Sequence, residues 1–310
     1  MNNHFTAKKI LLASLPLLVF FCNANDSIAQ DNQKQLRWSL QLDASYDVEL
    51  KQQTGIKTNI QNRSQEIGND MTLQMKWNVA SVENSVYEIN QSISRIRLKV
   101  TSPSKGGVQI TEIDTGAENE KTTEFGARLL EQIQPLVGTQ FVVTMTNRGE
   151  IKNVEIPKDS MEKIRSAPAS MQLRQVVSED GLKELIGQSA IVFPENALKP
   201  GDKWDTTDTV KNDFASITKN NQYTYNGASE SDGAPSDSIS VSTKIKAADV
   251  SDDNSIENFV GTGKIEFANE SDLLLSSQIR NEMTTLRKYR DQKIKSTVTT
   301  DVSMRVTKSK

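Results

Sequence analysis

The sequence predicts a mainly β protein of the α+β class, with long, curved antiparallel sheets that form open or partial barrels. Apolar and polar residues alternate with period two over most of the chain, and turns rich in glycine and asparagine separate the alternating stretches. Because one parity is polar, antiparallel pairing is favoured over a parallel sheet, whose strands are buried on both faces. Helical periodicity is confined to two places, which predicts two or three short helical segments packed on the sheets.

The longest unbroken alternation covers residues 36–50, LRWSLQLDASYDVEL. We interpret it as one two-faced strand of about 50 Å, at roughly 3.4 Å per residue. The apolar face of this strand and of MTLQMKWNV (71–79) supplies the ligand-facing candidates Trp38, Leu40, Leu42, Tyr46, Met75 and Trp77. Two alternatives stay open: the interior is filled by the helices and the second half of the chain, or part of it accepts an apolar ligand.

Irregularities in the alternation predict specific backbone features. The apolar parity switches between Ile93 and Ile96, which indicates a β-bulge near Ser94–Arg95. MTNRGEIKNVEI predicts a hairpin in which Gly149 takes a positive φ, and Pro200–Gly201 predicts a type II turn before a new strand. The small polar residues of 228–238 predict a loop.

These elements divide the chain into four parts. Residues 1–29 are a signal peptide and 30–157 a first β-rich half with one helix, which TTEFGARLLEQIQPL supplies. Residues 158–203 are a helical connection and turn, and 204–310 a second β-rich half. We expect the two halves to form one compact unit.

The first segment predicts export. Lys8 and Lys9 precede an apolar run of twelve residues, followed by small residues, which is the pattern of a secretory signal and is too short to span a bilayer as a helix. Cleavage falls after Ala24 or Ala29, and lipidation of Cys22 is an alternative. We therefore expect a location in the periplasm, at the cell surface or outside the cell.

Removal of this segment would leave a chain without histidine and cysteine, because the sequence has one of each, His4 and Cys22. Nucleophiles that depend on a histidine base, cysteine nucleophiles and zinc sites made of His or Cys would then be excluded. The balance of 37 basic and 40 acidic residues predicts no nucleic-acid partner. We accordingly expect no enzyme, no cofactor and no metal site.

Several phrases resemble an uncharacterised family, a domain of unknown function found in exported, β-rich proteins of planctomycete-type bacteria. The similar phrases are MTLQMKWNV, ISRIRLKV, FVVTMTNRGEIKNVEIP, FPENALKPGDKW and GTGKIEFANESDLLLSSQIRNEM. The resemblance spans most of the chain in the same order and implies an exported β-rich fold, with no active residues. A looser similarity, in fold alone, is to the curved sheets of Lol-type lipoprotein carriers.

The expected function is that of an exported, non-catalytic cell-envelope protein that binds a lipid, a lipoprotein or a protein partner on a curved sheet. The alternatives are a structural surface protein, or a hydrolase or lyase that uses carboxylates such as Asp43, Asp47 and Glu155. A basic cluster is a candidate for contact with an anionic surface; its members are Arg287, Lys288, Arg290, Lys293 and Lys295.

Overall fold

The computed structural model describes residues 33–60, 63–104, 107–117, 123–166, 191–211, 216–231, 233–248, 254–268, 273–289 and 292–309. The compact unit Gln33–Lys310 contains all of these. The predicted signal peptide, the predicted helices after Ser166 and the hairpin loop at 269–272 lie outside the described residues.

The fold is one large antiparallel sheet of twelve strands. The first six strands are Ser45–Ile60 (β1), Arg63–Glu83 (β2), Val86–Ser104 (β3), Gly107–Asp114 (β4), Gln140–Thr146 (β5) and Ile151–Glu155 (β6). The other six are Lys203–Lys211 (β7), Ser216–Ser231 (β8), Ala234–Ala248 (β9), Asn254–Ala268 (β10), Leu274–Tyr289 (β11) and Gln292–Lys308 (β12).

The two halves of the chain meet where β1 pairs with β12 along almost their whole length. The strand order is β6-β5-β3-β2-β1-β12-β11-β10-β9-β8-β7, and β4 pairs with the far end of β3. The two terminal strands of this order, β6 and β7, are not paired with each other among the described residues, so the sheet is open. The predicted fold class is confirmed.

The predicted bulge in β3 is confirmed. Ile93 pairs with Met75 and Arg95 pairs with Gln74, so Ser94 is the extra residue. Ile93, which precedes the bulge in sequence, and Ile96, which follows it, are both buried. The extra residue thus keeps the apolar side chains on one face after the parity changes.

Both predicted turns are also confirmed. Gly149, in the hairpin between β5 and β6, has φ +93°, and Gly201 has φ +94°. The amide of Asp202 donates to the carbonyl of Lys199 (3.0 Å), which closes a turn with glycine at its third position. A non-glycine residue is strained at such φ values, and this explains the glycine in each turn.

The loop prediction for 228–238 is wrong. This stretch forms the ends of β8 and β9, and Ser229 pairs with Ser236. A register shift at Gly227 (φ +90°) lets the hairpin continue with small polar residues. The stretch has the composition of a loop because its buried positions are polar. Asp237, for example, is buried, and polar contacts satisfy its carboxylate.

The prediction that 36–50 forms one strand is wrong in its first part. The chain turns at residues 41–44, where the amide of Ala44 donates to the carbonyl of Gln41 (3.1 Å) and Asp43 has φ 59°. Aspartate tolerates this left-handed conformation better than most residues. The strand therefore begins at Ser45, and Leu42 lies at the turn, 56% exposed, instead of on the buried face.

Two described helices confirm the helical predictions in these regions. Helix α1 (Glu124–Ile133) is capped by the Thr123 side chain, which accepts from the amide of Gly126, and a 3-10 turn at Gln134–Leu136 follows it. Helix α2 spans Lys158–Ser166. In the described part of the chain, neither helix has the length and hydropathy needed to cross a membrane.

Candidate functional site

The hydrophobic core lies on one face of the sheet, at the end where β1 begins. On this face β1 contributes Tyr46, Val48 and Leu50, and the neighbouring strands contribute equally buried residues. Two stretches outside the sheet, residues 33–44 and 191–198, contact it; we call them the covering segments. Trp38 from the first packs edge-on against Phe267 (ring centroids 5.2 Å apart), and Phe193 from the second packs against the same ring (4.8 Å).

Hydrogen bonds hold the covering segments to each other and to the sheet. The Trp38 indole donates to the carbonyl of Ile191 (3.3 Å), and the Tyr87 hydroxyl donates to the carbonyl of Trp38 (2.6 Å). The Arg148 guanidinium, on the β5–β6 hairpin, donates to the carbonyl of Phe193 (2.6 Å). These bonds satisfy backbone groups that burial would otherwise leave unpaired.

Five of the six predicted ligand-facing residues lie in this core: Trp38, Leu40, Tyr46, Met75 and Trp77 are each at most 5% exposed. Leu42 is separated from them by the turn described above. The interior at this end of the face is therefore occupied by the protein's own side chains. Contact of these residues with a ligand stays a prediction.

Next to the core, the same face carries a line of short polar residues across the strands, which we call the polar row. Its members, from β2 to β8, are Asn69, Thr54, Thr300, Asn281, Gly261, Thr243 and Asn221. The Thr243 hydroxyl donates to Asn221 Oδ1 (2.7 Å), whereas Asn281 Oδ1 is buried without a partner among the described residues. The polar row ends the core.

Beyond the polar row, apolar side chains return in register on five adjacent strands. We call this line the apolar row: Ile67, Ile56, Val298, Met283 and Phe259, from β2 to β10. Ile67 is 44% exposed and the other four are partly exposed. The sequence alone does not reveal this row because its members come from five strands, although each lies on the apolar parity of its own strand.

Charge separates the two faces of the sheet around the apolar row. From the polar row to the strand ends, β1, β2, β10, β11 and β12 carry no acidic residue on the apolar-row face within the described chain. The opposite face carries ion pairs such as Arg280–Asp301 (3.4 Å) and Lys295–Glu257 (2.8 Å). There too, the hydrogen bond from Arg95 holds the pKa of Asp114 below its usual range.

The sheet divides the predicted basic cluster. Arg287 pairs with Ile294 on the apolar-row face, whereas Lys288 pairs with Lys293 on the opposite face, which Lys295 shares. Arg290 lies outside the described residues. The predicted cluster is therefore not one patch, because successive residues of a strand point to opposite faces.

The predicted carboxylates do not converge. Asp43 lies at the turn before β1, Asp47 accepts a hydrogen bond from Ser309 (2.8 Å), and Glu155 lies on β6 at one end of the strand order. Within the described chain no group of three or more His, Cys, Asp or Glu residues could hold a metal ion.

A shallow cleft of about 480 Å³ lies on the opposite face of the sheet. Gly55 and Gly68, which pair across β1 and β2, line the cleft, and because glycine has no side chain the backbone is exposed there. Its rim includes Lys57, Asp70 and Arg280. The residues that line the cleft are mostly polar. The cleft lies behind the apolar row, because Gly55 and Ile56 are consecutive residues of β1 and face opposite sides of the sheet.

A partly buried polar contact joins the first covering segment to the buried Asp237 of β9. The Lys34 ammonium lies 2.5 Å from Asp237 Oδ2, and the Tyr225 hydroxyl donates to Asp237 Oδ1 (2.6 Å). Burial, followed by this hydrogen bond, raises the pKa of Tyr225 above its ordinary value. Because both partners satisfy the buried carboxylate, we interpret the contact as structural.

The structure defines a class of protein: an open antiparallel sheet, one face of which carries a core at one end and the partly exposed apolar row at the other. No acidic residue lies beside this row on that face in the described strands. The model of a family of unknown function (DUF6263) matches residues 84–273. The chain belongs to this family, which confirms the expectation of an uncharacterised family. None of the curated proteins matches the chain.

Three solved structures show low similarity to the chain. A structure of lipovitellin, whose title concerns lipid–protein interactions, is 11% identical with a TM-score of 0.46, and the match covers 87% of this chain but 25% of lipovitellin. An outer membrane channel from Pseudomonas putida F1 is 9% identical with a TM-score of 0.24, over 87% of this chain and 97% of the channel. A DUF1329 family protein from Desulfovibrio piger is 11% identical with a TM-score of 0.12, over 84% and 85%. Such weak similarities carry no argument about function.

Proposed function

We propose that the protein is an exported, non-catalytic cell-envelope protein that binds the hydrocarbon chain of a lipid on the apolar row. The observation that carries the proposal is the return of apolar side chains on five adjacent strands, beyond the polar row and partly exposed. The sequence pattern of residues 1–29 supports export.

The dimensions of the apolar row suit a lipid tail. Four strand spacings of about 4.8 Å give a row of about 19 Å. One leaflet of a bilayer contributes about 15 Å of hydrocarbon thickness, half of the roughly 30 Å core. The row is one side chain wide, and Thr54 and Thr58 flank Ile56 on the same face. A linear tail would therefore contact the apolar side chains while water reaches the hydroxyls on either side.

A protein partner suits this face less well. Five strands of about 4.8 Å and six residues of about 3.4 Å along each strand enclose roughly 490 Å². A stable protein interface buries about 800 Å² on each partner. A lipid tail can bind on a smaller area, because each CH₂ group that it buries contributes about 0.8 kcal/mol to the binding free energy. A second copy of the chain is a weaker occupant for the same reason.

The proposal predicts that polar substitutions in the apolar row abolish lipid binding. Ile56→Thr with Val298→Thr keeps two β-branched side chains on their strands and places hydroxyls where a tail would lie. We expect the full-length wild type to bind a fluorescent long-chain fatty acid, and the double variant to bind at least tenfold more weakly in a fluorescence titration.

The opposite face offers a matched control. Ile110 on β4 is 53% exposed and Val260 on β10 is 51% exposed, and both lie on that face. Ile110→Thr with Val260→Thr repeats the same chemical changes away from the row, and its affinity should equal that of the wild type. Equal loss in both double variants, or no binding by the wild type, would contradict the proposal.

A further inference from the structure

We propose, on the basis of the lipid site above, that the site prefers a lipid with an anionic headgroup and that Arg287 contacts this headgroup. Arg287 lies on β11, four residues after Met283 of the apolar row and on the same face. Its side chain is exposed and forms no ion pair with the described residues.

The distance from the tail site to Arg287 fits an amphiphile. Four residues of a strand separate the Cα atoms of Met283 and Arg287 by roughly 14 Å. Thr285 lies between them on the same face, and the opposing residue of β12 is Ser296. A headgroup beyond the apolar row would therefore meet hydroxyl donors first and then the guanidinium, whose N–H groups suit carboxylate and phosphate oxygens.

The charge of the face favours the same class of ligand. No acidic residue lies on this face from the polar row to the strand ends in the described parts of β1, β2 and β10–β12. An anionic headgroup beyond Met283 would thus meet the Arg287 guanidinium and, among the described residues of these strands, no like charge on this face. The other described cations of the basic cluster, Lys288, Lys293 and Lys295, lie behind the sheet and cannot replace Arg287.

The test compares two probes with the same tail, a pyrene-labelled fatty acid and its methyl ester, on the full chain at pH 8. We expect the wild type to bind the acid roughly tenfold more tightly than the ester, because a hydrogen bond to a charged group contributes more than one to a neutral group. Arg287→Gln should lower the affinity for the acid to that for the ester and leave the ester unchanged.

Lys288→Gln is the matched control, since it removes the adjacent charge on the opposite face. It should keep the preference for the acid. Raising the ionic strength from about 0.15 M to about 1 M shortens the screening length from about 8 Å to about 3 Å, so the preference should shrink in the wild type. A second pair of probes, pyrene-labelled phosphatidylglycerol and phosphatidylcholine, carries the phosphate in both members and differs in net charge. A preference for phosphatidylglycerol would extend the site to anionic phospholipids, whereas a preference for the fatty acid alone would assign the headgroup as a free carboxylate.

The outcomes separate this inference from the proposed function. If the wild type binds both members of each pair equally and Arg287→Gln changes nothing, the anionic preference is wrong while the tail site stands. If Lys288→Gln removes the preference as strongly as Arg287→Gln does, the assignment to Arg287 is wrong. If no probe binds, the proposed function itself is contradicted.

Discussion

The two ends of one sheet face have the same alternation but different surroundings. On β1, Leu50 is buried in the core, whereas Ile56, six residues further along the same face, is partly exposed. The polar row at Thr54 separates them. The comparison shows that period-two alternation identifies a face, while the segments that cross the face decide whether it becomes core or surface.

Both covering segments approach the β5–β6 hairpin very closely at Gly149. A Cβ at Gly149 would overlap the carbonyl oxygen of Ile191 and lie 2.5 Å from the Trp38 indole nitrogen. The glycine thus serves both the positive φ of the turn and the contact with both covering segments. We therefore expect the packing at the buried end to depend on the absence of a side chain at Gly149.

The largest effect is expected for Gly149→Ala. The substitution adds left-handed strain of about 1–2 kcal/mol and an overlap that costs about 1–3 kcal/mol more. We expect the free energy of unfolding, measured by urea denaturation, to fall by roughly 2–5 kcal/mol.

Gly138→Ala is the control for this prediction, because Gly138 has φ +77° and nothing lies within 4 Å of a Cβ placed there. It should lose only the strain, about 1–2 kcal/mol. Equal losses at the two positions would show that the covering segments do not depend on the close approach at Gly149.

A smaller effect separates the two ends of β1 directly. Leu50→Ala removes a buried side chain and should cost about 2–5 kcal/mol. Ile56→Ala removes a partly exposed one on the same strand and should cost roughly 1 kcal/mol. Both values come from the same urea denaturation measurement. Similar losses would mean that the apolar row is packed as tightly as the core, which would leave no surface for a tail.

Much of the fold could be predicted because its signals are local. The parity switch at Ser94 and the glycine of the β5–β6 hairpin each require only a few neighbouring residues to interpret. The boundary between the first covering segment and β1 could not be predicted this way. Extended backbone gives the same alternation whether it pairs in a sheet or crosses one, and the turn at Asp43 interrupts no apolar pattern.

The candidate site was predicted less well for a different reason. Trp38 and Trp77 are large and apolar, which makes them candidates for contact with a ligand. Large apolar side chains are also the ones that fill a core, and both of these are buried there. The apolar row has one residue on each of five strands, and its existence depends on the register of four strand pairs. Register is set by tertiary pairing, which one strand's sequence does not contain.

The central claim is that a lipid tail lies on the apolar row, and residue-level photo-cross-linking tests it most directly. A photoactivatable fatty acid bound to the full chain should label Ile56, Val298 and Met283 but not their immediate neighbours in sequence, because successive strand residues point to opposite faces. Labelling concentrated on Lys57, Thr297 or Thr299 around the opposite cleft, or spread equally over both parities, would contradict it.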